Sequence, residues 1–94
     1  MKFTKNEFGV VQYPLHDARR LFVLLAALDL LERPTLQAIT DLTGLNPETM
    51  DDDIERLCEQ FGVQIHKHGH VYRIESWGDL LKKAGVQKRL KNGD

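Results

Sequence analysis

Two groups of residues in this chain have the types and spacing for chemistry, and they carry opposite charge. The first is the run His66-Lys67-His68-Gly69-His70, with Arg73 close behind. Imidazole, ammonium and guanidinium groups this close together suit contact with phosphate, and histidine adds a charge that grows as pH falls below about 6.5. Histidines at alternate positions also raise a metal site, since alternate residues of one straight strand share a face. The second group lies in the stretch 47–61, PETMDDDIERLCEQF. There Glu48, Asp51, Asp52, Asp53, Glu55 and Glu59 stand against Arg56 alone, six acids minus one base, a local charge near −5. Such a surface repels phosphate and attracts basic groups.

No catalytic set accompanies them. The chain has no Ser-His-Asp order, no Gly-rich phosphate loop and no carboxylate pair at a recognisable strand end, so neither an enzyme nor a cofactor is expected. Cys58, between Leu57 and Phe61 on an apolar stripe, reads as a structural thiol rather than a nucleophile. As the one cysteine of the chain it excludes an internal disulfide and any multi-cysteine metal site.

Ninety-four residues make a single domain, 1–94, able to bury roughly 60–65% of its unfolded surface. With 41% hydrophobic and 29% charged residues and a formal charge of −1, the whole chain has no global pull on nucleic acid or on an acidic membrane. Any electrostatic function must come from local patches. The longest apolar run, Leu21 to Leu28, is too short to span a bilayer, and no signal-peptide pattern follows Lys2 and Lys5, so a cytoplasmic location without a membrane partner is expected.

The elements that must position these groups follow from periodicity and punctuation. Residues 1–15 carry Phe3, Phe8, Val10, Val11 and Tyr13 without helical spacing and read as an irregular or short extended arm. A first helix runs from about His16 or Asp17, with Asp17 capping it, to Glu32, and Pro34 ends it. It is apolar on more than one face, so either the arm folds back over it or a homodimer covers it. Thr35 caps a second helix, with Leu36, Ile39 and Leu42 on its inner face, and Gly44 closes it. Asn46 and Pro47 start a third helix, on which Met50, Ile54, Leu57, Cys58 and Phe61 form one buried stripe. Asp52, Asp53 and Glu59 fall on its solvent side, and Gly62 ends it.

Beyond Gly62 the pattern alternates, and a hairpin centred on His68-Gly69 pairs Lys67 with His70, Ile65 with Tyr72 and Val63 with Ile74. The same register pairs Gln64 with Arg73 and His66 with Val71. His66 and His70 then face opposite sides, which argues against a metal. Val63, Ile65, Tyr72 and Ile74 make the core face, and Tyr72 and Trp77 read as packing residues. Ser76 is placed to cap a last helix from Trp77 to about Ala84, followed by a basic tail with Lys82, Lys83, Lys88, Arg89 and Lys91. The fold expected is mainly α with a small β-hairpin, an α+β chain with an arm (1–15), a core (16–78) and a short helix with basic tail (79–94).

Three helices followed by a hairpin make the winged helix-turn-helix arrangement. TLQAITDLTGLNPETMDDDIERL resembles the helix-turn-helix core of bacterial winged-helix transcriptional regulators, over roughly residues 17–78. Thr35, Ile39, Gly44-Leu45, Thr49, Ile54 and Leu57 sit where that family places packing and turn residues. The ending Tyr72-Arg73-Ile74-Glu75-Ser76-Trp77-Gly78 is similar to the Tyr-x-Ile-x-x-Trp-Gly close of one bacterial winged-helix group. The resemblance implies a DNA-binding regulator with a two-stranded wing. Relatives that bind DNA carry Arg, Lys, Gln, Ser or Thr at the positions of Glu48, Thr49, Asp51, Asp52 and Asp53, whereas here only Thr49 and Arg56 can donate to phosphate or base edges. Two readings follow. In one, a DNA-associated regulator makes contact through Lys67, His68, His70 and Arg73 of the wing, with the tail, Thr49 and Arg56, and binds weakly and salt-sensitively. In the other, Glu48, Asp51, Asp52, Asp53, Glu55 and Glu59 form a docking face for a basic protein or a surface that mimics DNA charge.

Overall fold

The computed structural model describes residues 3–14 and 17–91, without the side chains of Lys88, Arg89 and Lys91. Its elements are four helices and a two-stranded antiparallel sheet: α1 (Arg19–Leu30), α2 (Leu36–Thr43), α3 (Met50–Phe61), β1 (Gln64–His68), β2 (Val71–Ser76) and α4 (Lys83–Lys91). Among the described residues no helix is long and apolar enough to cross a membrane.

Burial of α1 organises the rest. Leu21 and every residue from Val23 to Leu28 are buried. The arm supplies part of the cover: Val10, Val11 and Tyr13 are buried in the same cluster, and Lys5 and Val11 form a short antiparallel bridge within the arm. Three hydrogen bonds hold it down. Asn6 Nδ2 donates to the Leu42 carbonyl at 2.8 Å, Gln12 Nε2 to the Thr43 carbonyl at 3.0 Å, and the Val11 amide to the Leu90 carbonyl at 2.8 Å. α4 supplies much of the remainder, burying Val86 and Leu90 while Lys83 and Gln87 hold Asp29 of α1 at 3.5 and 2.6 Å. The apolar excess of α1 is thus met inside one chain, and of its apolar residues only Leu30 stays exposed, at 59%. The argument for a homodimer through this helix loses its driving force.

Helix ends follow their capping residues with some shifts. His16 lies outside the described residues. The Asp17 carboxylate accepts from the Arg19 amide at 2.9 Å, and α1 itself opens at Arg19. It closes at Leu30, two residues short of Glu32, because Leu31 is already extended (ψ 136°). That extension frees the next segment for pairing: the Tyr72 amide donates to the Pro34 carbonyl at 3.0 Å, and Thr35 bridges Val71. Thr35 caps α2 by accepting from the Ala38 amide at 3.2 Å, and Gly44 and Gly62 end α2 and α3 in left-handed conformation. Leu36, expected on the inner face of α2, is exposed, since α2 starts there and its first turn overhangs the core. Asn46 accepts from the Glu48 amide, but the turn it caps, Pro47–Thr49, is a tight 3-10 turn, and α3 proper begins at Met50.

Two corrections matter for function. The hairpin is not centred on His68-Gly69. β1 pairs with β2 as His68 with Val71, Lys67 with Tyr72, His66 with Arg73 and Ile65 with Ile74, with a bulge at Gln64 that sets it opposite Ser76. The two turn residues are Gly69 and His70. Gly69 has φ +66° and His70 does not have positive φ, which is the pattern of a type II′ turn with glycine first. Ile65 pairs with Ile74 where Tyr72 was expected, an even step along β2, so Ile65, Tyr72 and Ile74 keep the core side. The last helix is also displaced. Ser76 Oγ accepts from the Gly78 amide at 3.2 Å in a local turn, and Gly78 has φ +70°, which an α-helix beginning at Trp77 forbids. A Cβ on Gly78 would lie 2.6 Å from the Gly62 carbonyl oxygen, so the chain passes the end of α3 with no room for a side chain. Helix formation waits until Lys83, and what reads as a basic tail is largely α4.

Candidate functional site

α3 and the hairpin bring the two charged groups side by side. The Tyr72 hydroxyl donates to the Asp51 carboxylate at 3.3 Å, so the acidic start of α3 adjoins the hairpin. Burial of the Tyr72 ring, then the Asp51 charge and this bond, push the Tyr72 hydroxyl above its ordinary pKa of 10.0.

On α3 the acids divide by face. Asp53 was expected on the solvent side, yet it is buried at 6% exposure. Its carboxylate lies 3.9 Å from Arg20 Nη2 of α1, a pair with side chains only 12% and 9% exposed, and the Thr49 hydroxyl stands 3.2 Å away. That hydroxyl is equally close to the Asn46 carbonyl, so its single proton serves two internal acceptors. Asp53 is therefore a structural acid joining α1, the turn and α3. The spacing explains the miss. Asp53 falls three residues after Met50 and four before Leu57, on the buried stripe, and its polarity hid a position that Arg20 makes tenable.

Glu48, Asp51, Asp52, Glu55 and Glu59 are exposed, with Arg56 among them. Among the described residues none of these five carboxylates forms an ion pair. Ile54, Cys58 and Phe61 are half-buried on the inner side, and the Phe22 and Phe61 rings meet edge to face at 5.4 Å, tying α1 to α3.

On the hairpin, His66, Val71 and Arg73 keep the shared face that alternation predicts, and the corrected register adds His68 by moving it out of the turn. His66, His68, Val71 and Arg73 now share the outward face, with His66 directly opposite Arg73 and His70 in the turn. Lys67 lies on the other face with its ammonium 5.3 Å from the centre of the Tyr72 ring. These groups have internal contacts as well. His68 Nε2 lies 3.1 Å from Glu75, and Arg73 Nη1 donates to the Glu32 carbonyl at 3.2 Å, just beyond the end of α1. Among the described residues no three His, Cys, Asp or Glu side chains converge as metal ligands. Lys83, from the expected tail, stands 5.7 Å from the Trp77 ring, and Trp77 is half-buried against the core. The side chains of Lys88, Arg89 and Lys91 lie outside the described residues.

The arrangement offers two exposed polar surfaces and no assembled catalytic group among the described residues. Set against protein-family models, curated proteins and solved structures, the chain finds no match.

Proposed function

We propose that this chain is a winged helix-turn-helix domain and a DNA-associated regulator that makes contact through its wing, with α3 held off the phosphates. The observation that carries the reading is the hairpin register, which places His66, His68 and Arg73 on one outward face, with His70 in the turn beside them. The order of α1, α2, α3 and hairpin, and the bridge from Thr35 to Val71 that lays the start of α2 along the wing, support the winged-helix part. Contact of this kind is electrostatic, so binding is weak and falls as salt rises. Thr49, its hydroxyl turned to Asn46 and Asp53, contributes less than its position suggested, and Arg56 is set among carboxylates.

A second reading is favoured by one observation of its own: five exposed carboxylates of the helix-turn-helix face that have no ion-pair partner among the described residues. In it the chain is a protein-recognition module that docks a basic segment on Glu48, Asp51, Asp52, Glu55 and Glu59. One titration separates the two. Isotope-labelled protein at low salt is mixed with a short mixed-sequence duplex, and separately with an Arg/Lys-rich peptide, and backbone amides are followed by NMR. The DNA reading expects salt-sensitive shifts at residues 66–73 with the duplex. Silence with the duplex together with shifts along 48–59 with the peptide would replace it by the second.

A further inference from the structure

We infer that the free edge of β1 takes an added strand, an extended peptide whose acidic side chains alternate with aliphatic ones. The inference goes beyond both readings above and rests on neither, because it uses main-chain groups that they leave aside. In a hairpin closed by a two-residue turn, the pair flanking the turn exchanges both of its backbone hydrogen bonds, and bonded and non-bonded pairs then alternate. His68–Val71 and His66–Arg73 are thus bonded pairs, while at Lys67–Tyr72 and Ile65–Ile74 the backbone groups point away from the hairpin. The Tyr72 amide follows this rule, leaving the sheet to donate to the Pro34 carbonyl at 3.0 Å. On the β2 side that margin is therefore occupied by Pro34 and Thr35. On the β1 side the N–H and C=O groups of Ile65 and Lys67 point outward in the same way, and among the described residues nothing bonds to them. Such a row is a template for another strand.

The side chains along the edge choose its occupant. Gln64, His66, Lys67 and His68 are exposed and Ile65 is half-buried, so β1 meets solvent along its length. A second copy of β1 laid along the first would set Lys67 and the two histidines against their own kind, and like charges across a strand pair are destabilising. The groups that keep two copies apart draw an acidic strand in. The pleat then fixes the spacing. His66 and His68 stand on one face of the sheet, Ile65 and Lys67 on the other. On the first face the exposed Arg73 lies directly across from His66, so a carboxylate set beside His66 meets a guanidinium as well as an imidazole. The chain itself already offers a carboxylate to this face, since Glu75 reaches His68 Nε2 at 3.1 Å. On the second face Ile65 packs at the margin of the core, where a β-branched side chain on the added strand extends the apolar surface. Acids at alternate positions with an aliphatic residue between them match both faces at once.

The experiment is an NMR titration of the isotope-labelled full chain at low salt with the peptide acetyl-TEVEVT-amide, whose glutamates share one face and whose valines share the other. Two controls accompany it: acetyl-TKVKVT-amide, which inverts the charge, and the glutamate peptide N-methylated at both valines, which cannot donate to the edge. The glutamate peptide should give saturable shifts at the amides of residues 64–68 with a Kd of about 1 mM or tighter, and each control should bind at least about tenfold more weakly. At saturation the Ile65 and Lys67 amides should exchange with solvent at least about tenfold more slowly than in the free chain. His66→Glu, at an exposed position, should weaken the glutamate peptide about threefold and strengthen the lysine peptide. The wild-type comparison stands even if that variant unfolds. No saturable shift at these amides up to about 5 mM glutamate peptide, or equal binding of either control, would overturn the proposal. Shifts at the same amides that grow with protein concentration alone would overturn it in favour of a second copy of the chain.

Discussion

α3 and the hairpin meet at the Tyr72–Asp51 hydrogen bond, and they treat their charges differently. The hairpin engages its polar groups inside the molecule: His68 with Glu75, Arg73 with the Glu32 carbonyl, Lys67 over the Tyr72 ring. α3 leaves Asp52, Glu55 and Glu59 exposed on its outer side and draws one acid, Asp53, into the interior beside Arg20. Neighbours in sequence, Asp52 and Asp53 thus belong to different problems. The first belongs to the surface and to any partner, the second to the fold.

The sharpest way to break this contrast is to remove each acid in turn. Asp53→Ala removes one anionic neighbour of Arg20 and one acceptor of Thr49. It should cost about 3 kcal/mol in denaturant unfolding, against a change within about 0.5 kcal/mol for Asp52→Ala. Equal effects would erase the division of α3 into two faces. Next in size is Gly78→Ala, which forces a Cβ toward the Gly62 carbonyl at a residue with φ +70°. A loss of about 2 kcal/mol in the same assay is expected, and a neutral result would show that the root of the hairpin is not held against the end of α3.

Smaller effects concern binding. Reversing Asp51 and Asp52 to lysine should raise low-salt affinity for duplex DNA about tenfold, read by fluorescence anisotropy, if the acids alone hold α3 off the phosphates. No gain would mean that the domain does not approach DNA with α3. Arg73→Ala should lower the same affinity about threefold and reduce the salt slope by about one contact. The smallest effect is a titration. With its pKa raised above 10.0, Tyr72 favours the protonated form in the folded state, so its contribution to stability is full below pH 10 and is lost as pH rises through the higher folded value. Absorbance of the tyrosinate should place the Tyr72 midpoint above that of Tyr in the unfolded chain, and Tyr72→Phe should remove this alkaline loss. Asp17 works in the opposite direction. Its hydrogen bond to Arg19 holds it below the usual 3.8, so that stability is present at neutral pH and fades as acid passes below the ordinary carboxylate range.

Punctuation made most of the fold legible. Thr35, Gly44 and Gly62 bound their elements where residue type alone placed them, because capping is decided within a few residues, whereas Asn46 caps a 3-10 turn ahead of α3. The hairpin turn went one residue astray because His68-Gly69 and Gly69-His70 both look like turn pairs. Both pairings keep the same residues on the core face, so the alternation of apolar and polar residues does not decide between them. The last helix was misplaced because the Ser76 hydroxyl has two uses. As a helix cap it would start a helix at Trp77, whereas it serves a turn that threads Gly78 past Gly62. Of the site, the net charge of α3 was legible from composition. The inward turn of Asp53 was not, since it depends on Arg20, thirty-three positions earlier in the chain (53 − 20).

The close passage of Gly78 against Gly62 has a thermodynamic consequence for recognition. It sets the root of the hairpin against the glycine that caps α3, while the Thr35–Val71 bridge fastens the other edge to the residue that caps α2. A hairpin held at both margins arrives at a partner already ordered, so association through it forfeits little backbone entropy, and a modest set of contacts can yield measurable affinity.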